Sequence, residues 1–313
     1  MSFFSRRRTR PPTNGGSVGE PTASRVGFES RRTPDASDRL TTLASTVYVV
    51  AEAKVLYVQV FKAACSTMLW SLAQMAGKGP EDLAFSTDLH VARELTIHDL
   101  SIHPVPTIDR VSPELRHEAL TSPEWMRLGI VRDPYSRLYS GWESRRLLLH
   151  DGPWTDYPQP DLVVVDGQLD LGTSFRAFVE SMMEHRWVWQ GDYHFAQQIY
   201  QLALDQIDFT DIATTSDLPR VFRSLSERSG RLVDPGRHNE GLGIKAEDVF
   251  DDVTAQRCEE LYDQDFLQIG FPKRSFATPP PMVLDQVATR ALGMIKERND
   301  RITDLSTAIR AWN

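Results

Sequence analysis

Two strand-to-helix junctions constrain what this chain can fold into. The first, LYVQVFKAACSTMLW, runs from an apolar, β-rich stretch through a loop of small residues into a helical pattern. Met68, Leu69, Leu72 and Met75 recur at helical spacing, and Gly77 is placed to end that helix. The second, RLGIVRDPYSRLYSGW, closes a buried strand at Trp125–Val131. Asp133 suits the cap of a following helix and Pro134 its first position, so a helix is expected over Tyr135–Leu149. A strand at Thr46–Val50 precedes the strand Lys54–Val60 of the first junction, and Ile207–Thr214 is a third candidate beyond them. Helical patterns recur at Ser174–His185, Phe195–Leu204, Leu218–Arg228 and Ala246–Leu267, with a small strand at Leu162–Val165 inside a Pro/Asp/Gly-rich insert. Strands alternating with helices predict an α/β fold with a parallel sheet wrapped by helices.

The chain has 313 residues, long enough for one large domain, and its 41% hydrophobic and 25% charged residues exclude a mostly disordered or collagen-like protein. A net charge of −8 argues against a nucleic-acid coat, so no nucleic-acid partner is expected. That charge is uneven. Residues 1–40 carry eight arginines, no lysine and four acids, a net +4, which leaves −12 on residues 41–313. Residues 1–42 are too poor in apolar groups to offset the entropy of ordering and are expected to form a disordered basic arm. Only Cys65 and Cys258 occur, too few for a disulfide framework, and no stretch approaches the ~20 apolar residues of a membrane span. A cytoplasmic protein is the expectation.

The junctions carry chemistry as well as structure. A strand that ends in a short loop and enters a helix offers free backbone N–H groups and the positive end of the helix dipole to an anion. In the first junction Lys62 adds a cation, Ala63 and Ala64 allow close backbone approach, and Ser66 and Thr67 add hydroxyls. It is not a nucleoside-triphosphatase P-loop, because GxxxxGK[ST] is absent. In the second, Arg132 can grip a phosphate bidentately while Ser136 or Ser140 donates a further bond. Each segment also has a structural reading, a strand entering a core helix in one and an ion-paired arginine in the other.

Together the two segments resemble the sulfotransferase superfamily, in its carbohydrate sulfotransferase branch (family 2-like), which takes its sulfuryl group from 3′-phosphoadenosine 5′-phosphosulfate (PAPS). The family's first motif, approximately PK.ACT/S, stands here as Phe61-Lys62-Ala63-Ala64-Cys65-Ser66-Thr67, with Phe61 in place of proline. Its second, approximately VRDPF.RL.S, stands as Val131-Arg132-Asp133-Pro134-Tyr135-Ser136-Arg137-Leu138-Tyr139-Ser140. Tyr193–Gln198 is similar to an H-aromatic-x-x-Q element, Arg237–Glu240 to an H-x-N element, and CEELYDQDFLQIGF to the family's last helix. The resemblance implies that Lys62 and residues Ala63, Ala64, Cys65, Ser66 and Thr67 take the phosphosulfate, and that Arg132 and Ser140 take the 3′-phosphate, with Arg237 and Asn239 in the donor-binding set. It also implies a P-loop-like three-layer sandwich with a central parallel sheet over residues 43–273, a hydroxyl acceptor on a carbohydrate, glycolipid or glycosylated metabolite, and no metal.

Sulfuryl transfer calls for in-line positioning, stabilisation of the leaving phosphate and a base for the acceptor hydroxyl. Lys62 is the leaving-group stabiliser that the resemblance implies. Among eight histidines, His194 ranks first as base because it lies in a family-like element, followed by His90 and His98 between the two phosphate segments; Glu143 is a carboxylate alternative. Cys65, at a helix start beside a lysine, reads as a nucleophile on its own and as a small loop residue by resemblance. Trp187, Trp189, Phe175 and Phe178 read either as an acceptor platform or as core.

Residues 274–313 form a C-terminal helical extension. Ala288, Ile295, Ile302 and Ile309 recur every seven residues, with Leu284, Ala291, Leu305 and Trp312 offset from them and Arg298 interrupting, which predicts a seam that either pairs two copies or packs on its own domain. The rival readings are a non-catalytic nucleotide-binding scaffold and, within enzymes, a phosphoryl-transferring kinase, for which neither a Walker motif nor a protein-kinase signature is present.

Overall fold

The structure is a computed structural model that describes residues 39–83, 93–148, 158–236 and 241–312. After a short helix, α1 (Arg39–Leu43), strands β1 (Val47–Val50), β2 (Val55–Val58), β3 (Met126–Val131) and β6 (Asp211–Thr214) form one sheet in the order β1-β2-β3-β6. Strands β2, β3 and β6 run parallel, with Val58 opposite Gly129 and Val131 opposite Thr214. The expected wholly parallel sheet is corrected at one edge, where β1 is antiparallel to β2 and pairs Val47 with Val58. The link Ala51–Lys54 is a turn, far too short for the crossover that a parallel pair needs, so the two strands close a hairpin.

Every residue of β1, β2 and β3 is buried, which explains why these strands read as near-continuous apolar runs. Alternation sorts their side chains onto two faces. Tyr48, Val50, Val55 and Tyr57 meet Met68, Leu69 and Leu72 of α2 (Cys65–Met75) and Val221 and Leu225 of α8 (Leu218–Ser229). Val47, Val49, Leu56 and Val58 meet Ala119 of α3 (Pro113–Thr121) and the segment containing Leu202 and Ile207. On that second face Gly129 is required, since a Cβ there would lie 2.7 Å from Leu202 Cδ2.

An aromatic core stands beside the sheet, where α4 (Pro134–Trp142), α5 (Leu171–Glu184) and α9 (Asp252–Leu261) pack around Tyr135, Tyr139, Trp142, Phe175 and Phe250. Asp133 caps α4 by accepting from Ser136 N at 3.0 Å, as its sequence predicts. The helix is shorter than expected, because from Glu143 to Leu148 the chain is π-helical. The expected helix Ala246–Leu267 is likewise broken, into a 3-10 turn at Ala246–Asp248, α9 capped by Asp251, and a π-helical Asp265–Ile269. Phe195–Leu204 is reduced to α7 (Gln198–Leu202), one turn whose first N–H groups bond to Asp265.

The short strand near residue 164 exists as β4 (Val164–Val165), which pairs with β5 (Gln168–Asp170). Strand β5 in turn pairs with β7 (Val283–Leu284), directly ahead of the 27-residue α10 (Gln286–Trp312). The C-terminal segment is thus stitched to the aromatic core: Thr289 Oγ1 accepts from Leu169 N at 3.0 Å, and Leu284 and Leu292 pack on that core. Ala291, Ile295 and Leu305 of the heptad seam lie on the exposed side of α10. No described helix is long and apolar enough to cross a membrane. The basic arm lies, up to residue 38, outside the described residues.

Replacing Thr289 by Val keeps the shape of a buried side chain but leaves Leu169 N without its acceptor. A loss of about 1–3 kcal/mol in unfolding free energy is expected, read from denaturant midpoints at unchanged slope. A midpoint equal to that of the parent chain would show that the C-terminal segment does not stabilise the domain.

Candidate functional site

The carboxyl ends of β2, β3 and β6 open onto one cleft of about 510 Å³, lined by Lys62, Ala64, Cys65, Ser66, Thr67, Arg132 and Ser140 together with Thr215, Ser216, Leu218, Pro219, Phe222 and Gly236. Parallel strands gather their following loops at one edge of the sheet, which is where α/β proteins bind ligands.

The loop after β2 is built by backbone strain instead of glycine. Lys62 and Ala64 both take left-handed conformations, φ 65° and 58°, which L-residues adopt at a cost of about 1–3 kcal/mol and which cluster at functional sites. Ala64 is the N-cap of α2, and no side chain caps that helix end, so its first N–H groups are presented to the cleft. Lys62 is only 8% exposed. Among the described residues its ammonium forms no ion pair. Burial, reinforced by the charges of Arg145 and Arg132 and offset by Cys65 and Glu143, pulls its pKa down to about 8. Arg132, at the end of β3, reaches over to the lysine loop, its Nη1 donating to the Lys62 carbonyl oxygen at 3.4 Å. The helix end after β3 is, by contrast, already satisfied by Asp133, and Ser136 spends its hydroxyl on the same carboxylate at 2.8 Å. That junction therefore offers Arg132 and Ser140 instead of a bare helix terminus.

Two buried glutamines of α7 fix both loops from behind. Gln201 Oε1 accepts from Phe61 N at 2.9 Å while its Nε2 donates to Tyr193 O at 2.9 Å. Gln198 grips the Arg132 backbone at both poles, accepting from its N and donating to its O, each at 2.8 Å. Asp265, fully buried, receives Gln198 N and Ile199 N at 3.0 and 2.9 Å. Arg137, equally buried, donates to Phe61 O and Tyr193 O at 2.9 and 3.0 Å.

The profile of the sulfotransferase family matches residues 45–272. The chain belongs to the sulfotransferase family. No curated protein and no solved structure matches it.

Within this sulfotransferase the expected donor-loop residues Lys62, Ala64, Cys65, Ser66, Thr67, Arg132 and Ser140 come together on the cleft, and Ala63 is buried beneath it. Phe61, which replaces a proline of the family motif, stacks on Tyr193 with ring centroids 5.5 Å apart and meets the His194 ring edge-on at 5.1 Å. Of the candidate bases, His98 lies against the donor loop, with Nε2 2.9 Å from Ser66 Oγ. His194 is behind Phe61: Asp192 Oδ1 takes its Nδ1 at 2.8 Å and Arg145 Nη2 stands 2.9 Å from its ring nitrogens. Burial, offset by the Asp192 hydrogen bond and reinforced by Arg145, lowers His194 to about 4. His90, Arg237 and Asn239 lie outside the described residues.

The Cys65 thiol is buried, which opposes ionisation, yet the His98 hydrogen bond and the charges of His98 and Lys62 outweigh that and bring it down to about 6. Of the two readings of the aromatic residues, core holds for three. Phe175, Phe178 and Trp189 are core residues, Phe178 and Trp189 packing edge-to-face at 4.9 Å, and only Trp187 is exposed. Sequence reasoning missed the Thr215–Phe222 wall and the two glutamines. The wall had a signal, since it follows the third parallel strand; Gln198 had none beyond its place in the H-aromatic-x-x-Q element, and Gln201, outside that element, had none. Among the described residues no cluster of His, Cys, Asp and Glu is arranged to hold a metal.

Gln201→Leu strands the buried Phe61 N–H, so it should cost about 1–3 kcal/mol of stability and also weaken binding of 3′-phosphoadenosine 5′-phosphate (PAP), measured by calorimetry on folded protein. Full PAP affinity in that variant would mean that the clamp does not set the loop.

Proposed function

We propose that this sulfotransferase moves a sulfuryl group from PAPS, a substrate here, to a hydroxyl of a carbohydrate, glycolipid or glycosylated metabolite. The observation that carries the reading is the pairing, across one cleft, of an uncapped helix N-terminus and a buried lysine on one side with Arg132 and Ser140 on the other. Two separated anion sites fit a ligand with two anionic ends, and the cleft is within the 300–1,000 Å³ typical of small-molecule sites. Leu218, Pro219 and Phe222 supply an apolar wall for the nucleoside between them. The sheet flanked by helices on both faces supports the P-loop-like assignment, with the strained 62–64 turn in the role that glycines play elsewhere.

In this reading Lys62 and the N–H groups at the start of α2 bind the phosphosulfate, and Arg132 and Ser140 bind the 3′-phosphate. As the bond to sulfur breaks, negative charge grows on the leaving phosphate, and the Lys62 ammonium stabilises it. His194, hydrogen-bonded to Asp192 and with Arg145 against its ring, stands behind Phe61 at the entry to the lysine loop. Of the two readings of the heptad seam, pairing of two copies would use the exposed Ala291–Ile295–Leu305 side of α10. Calorimetry with PAP, AMP and ATP separates this donor site from that of a kinase, and transfer of radiolabelled sulfate from PAPS into glycans and glycolipids separates an enzyme from a scaffold.

Lys62→Ala should lower turnover by about 10²–10³ while PAP still binds. In the parent enzyme kcat/KM for PAPS should fall as pH rises through about 8, because the free enzyme loses its ammonium there. That limb should be missing from the Lys62→Ala profile, and its persistence would remove Lys62 from this role. Arg132→Ala should cost about 1.5–3 kcal/mol of PAP affinity and abolish the preference for PAP over AMP. Discrimination unchanged from the parent would place the 3′-phosphate elsewhere.

A further inference from the structure

Beyond Trp142 the backbone widens into the π-helical segment that starts at Glu143. Such insertions recur at functional sites because they turn one side chain out of helical register. Glu143 is 5% exposed. One of its oxygens is anchored: Oε1 accepts from Leu242 N at 2.9 Å and stands 3.4 Å from the Tyr139 hydroxyl. The other, Oε2, has no hydrogen bond among the described residues. The chain passes so closely over it that a Cβ on Gly241 would overlap Oε2, so glycine alone fits there.

The charged groups that bear on Glu143 come from three elements: Lys62 after β2, Arg132 at the end of β3, and Tyr139 on α4. Burial lifts the carboxyl above the usual carboxylate range, and the Leu242 N–H, Lys62, Tyr139 and Arg132 offset part of that rise. Among the described residues no ion pair holds it. Glu143 is therefore a fixed carboxylate, one helical turn beyond the cleft-lining Ser140, whose second oxygen lies under the Gly241 backbone with no hydrogen bond among the described residues and feels the charges of Lys62 and Arg132, which line the cleft. The histidines are less suitable, since His98 serves Ser66 and the His194 ring is occupied by Asp192 and Arg145.

We propose that Glu143 is the general base of the sulfuryl transfer, its Oε2 taking the proton of the acceptor hydroxyl. The hydroxyl oxygen bonds to sulfur while the bond from sulfur to the donor phosphate breaks, and PAP leaves with that electron pair. The products are the sulfate ester, PAP and protonated Glu143, which then gives its proton to water. This inference rests on the sulfuryl-transfer reading.

Four proteins decide the matter: the parent chain, Glu143→Gln, Glu143→Asp and His194→Asn, each assayed for PAP binding by calorimetry and for radiolabelled sulfate transfer from PAPS to a panel of sugar hydroxyls. Glu143→Gln should lose about 10²–10⁴-fold in transfer while binding PAP within threefold of the parent. In the parent, kcat/KM should fall on the acid side at a pH above the ordinary carboxylate range, because the base must be ionised and burial raises its pKa. That acidic limb should vanish from the residual activity of Glu143→Gln, and persist in Glu143→Asp and His194→Asn. Transfer by Glu143→Gln within threefold of the parent, a parallel loss of PAP binding, or an acidic limb abolished by His194→Asn would each overturn the assignment. If Glu143→Gln does not fold, Glu143→Asp decides, since a carboxylate base must keep the limb. A parent chain that binds PAP no better than AMP would instead overturn the donor reading, separately from the base.

Discussion

Two side-chain amides, those of Gln198 and Gln201, keep the two cleft loops that follow β2 and β3 in register with each other. A loop whose lysine and alanine both sit at positive φ does not hold that shape unaided, and a strained backbone persists only when its surroundings over-determine it. Gln201 and Arg137 meet that condition by taking the N–H and the C=O of Phe61, the residue that enters the strained turn. Gln198 does the same for Arg132. Because both glutamines belong to one turn of helix, and Asp265 secures that turn, the spacing of Phe61 and Arg132 is fixed by a single rigid element. The cost is a buried polar network, in which each member must be satisfied for the others to gain.

Much of this was legible in the sequence wherever a local rule decides the outcome. Asp133-Pro134 signals a capped helix in any context, and apolar runs at residues 47–58 and 126–131 are what strands buried on both faces look like. The direction of β1 was legible too, in a link too short for a crossover, although a general expectation of parallel strands masked it. The π-helical turns at Glu143 and Asp265 were not, because periodicity fixes that a segment is helical and not how tightly it winds.

At the site, residues adjacent in sequence were found together and those joined only by tertiary structure were not. Lys62 to Thr67 and Arg132 to Ser140 each lie within one junction, so motif spacing sufficed. The Thr215–Phe222 wall, the pairing of Glu143 with Leu242 and the placement of His194 behind Phe61 all depend on which loops the sheet gathers at one edge. Aromatic spacing that reads more readily as core than as platform resolves to core, with Phe175, Phe178 and Trp189 buried, Phe178 and Trp189 packed on Phe195, and Phe175 on Tyr139 and Trp142.

The stitch between the C-terminal segment and the aromatic core has its own consequence. Helix α10 packs against the π-helical residues 143–148 as well as against β5 and β7. It acts as a splint on the segment that carries Glu143. A change in the length or packing of this helix is therefore transmitted directly to residues 143–148, so the tail of the chain braces a buried carboxylate more than a hundred residues earlier in the sequence.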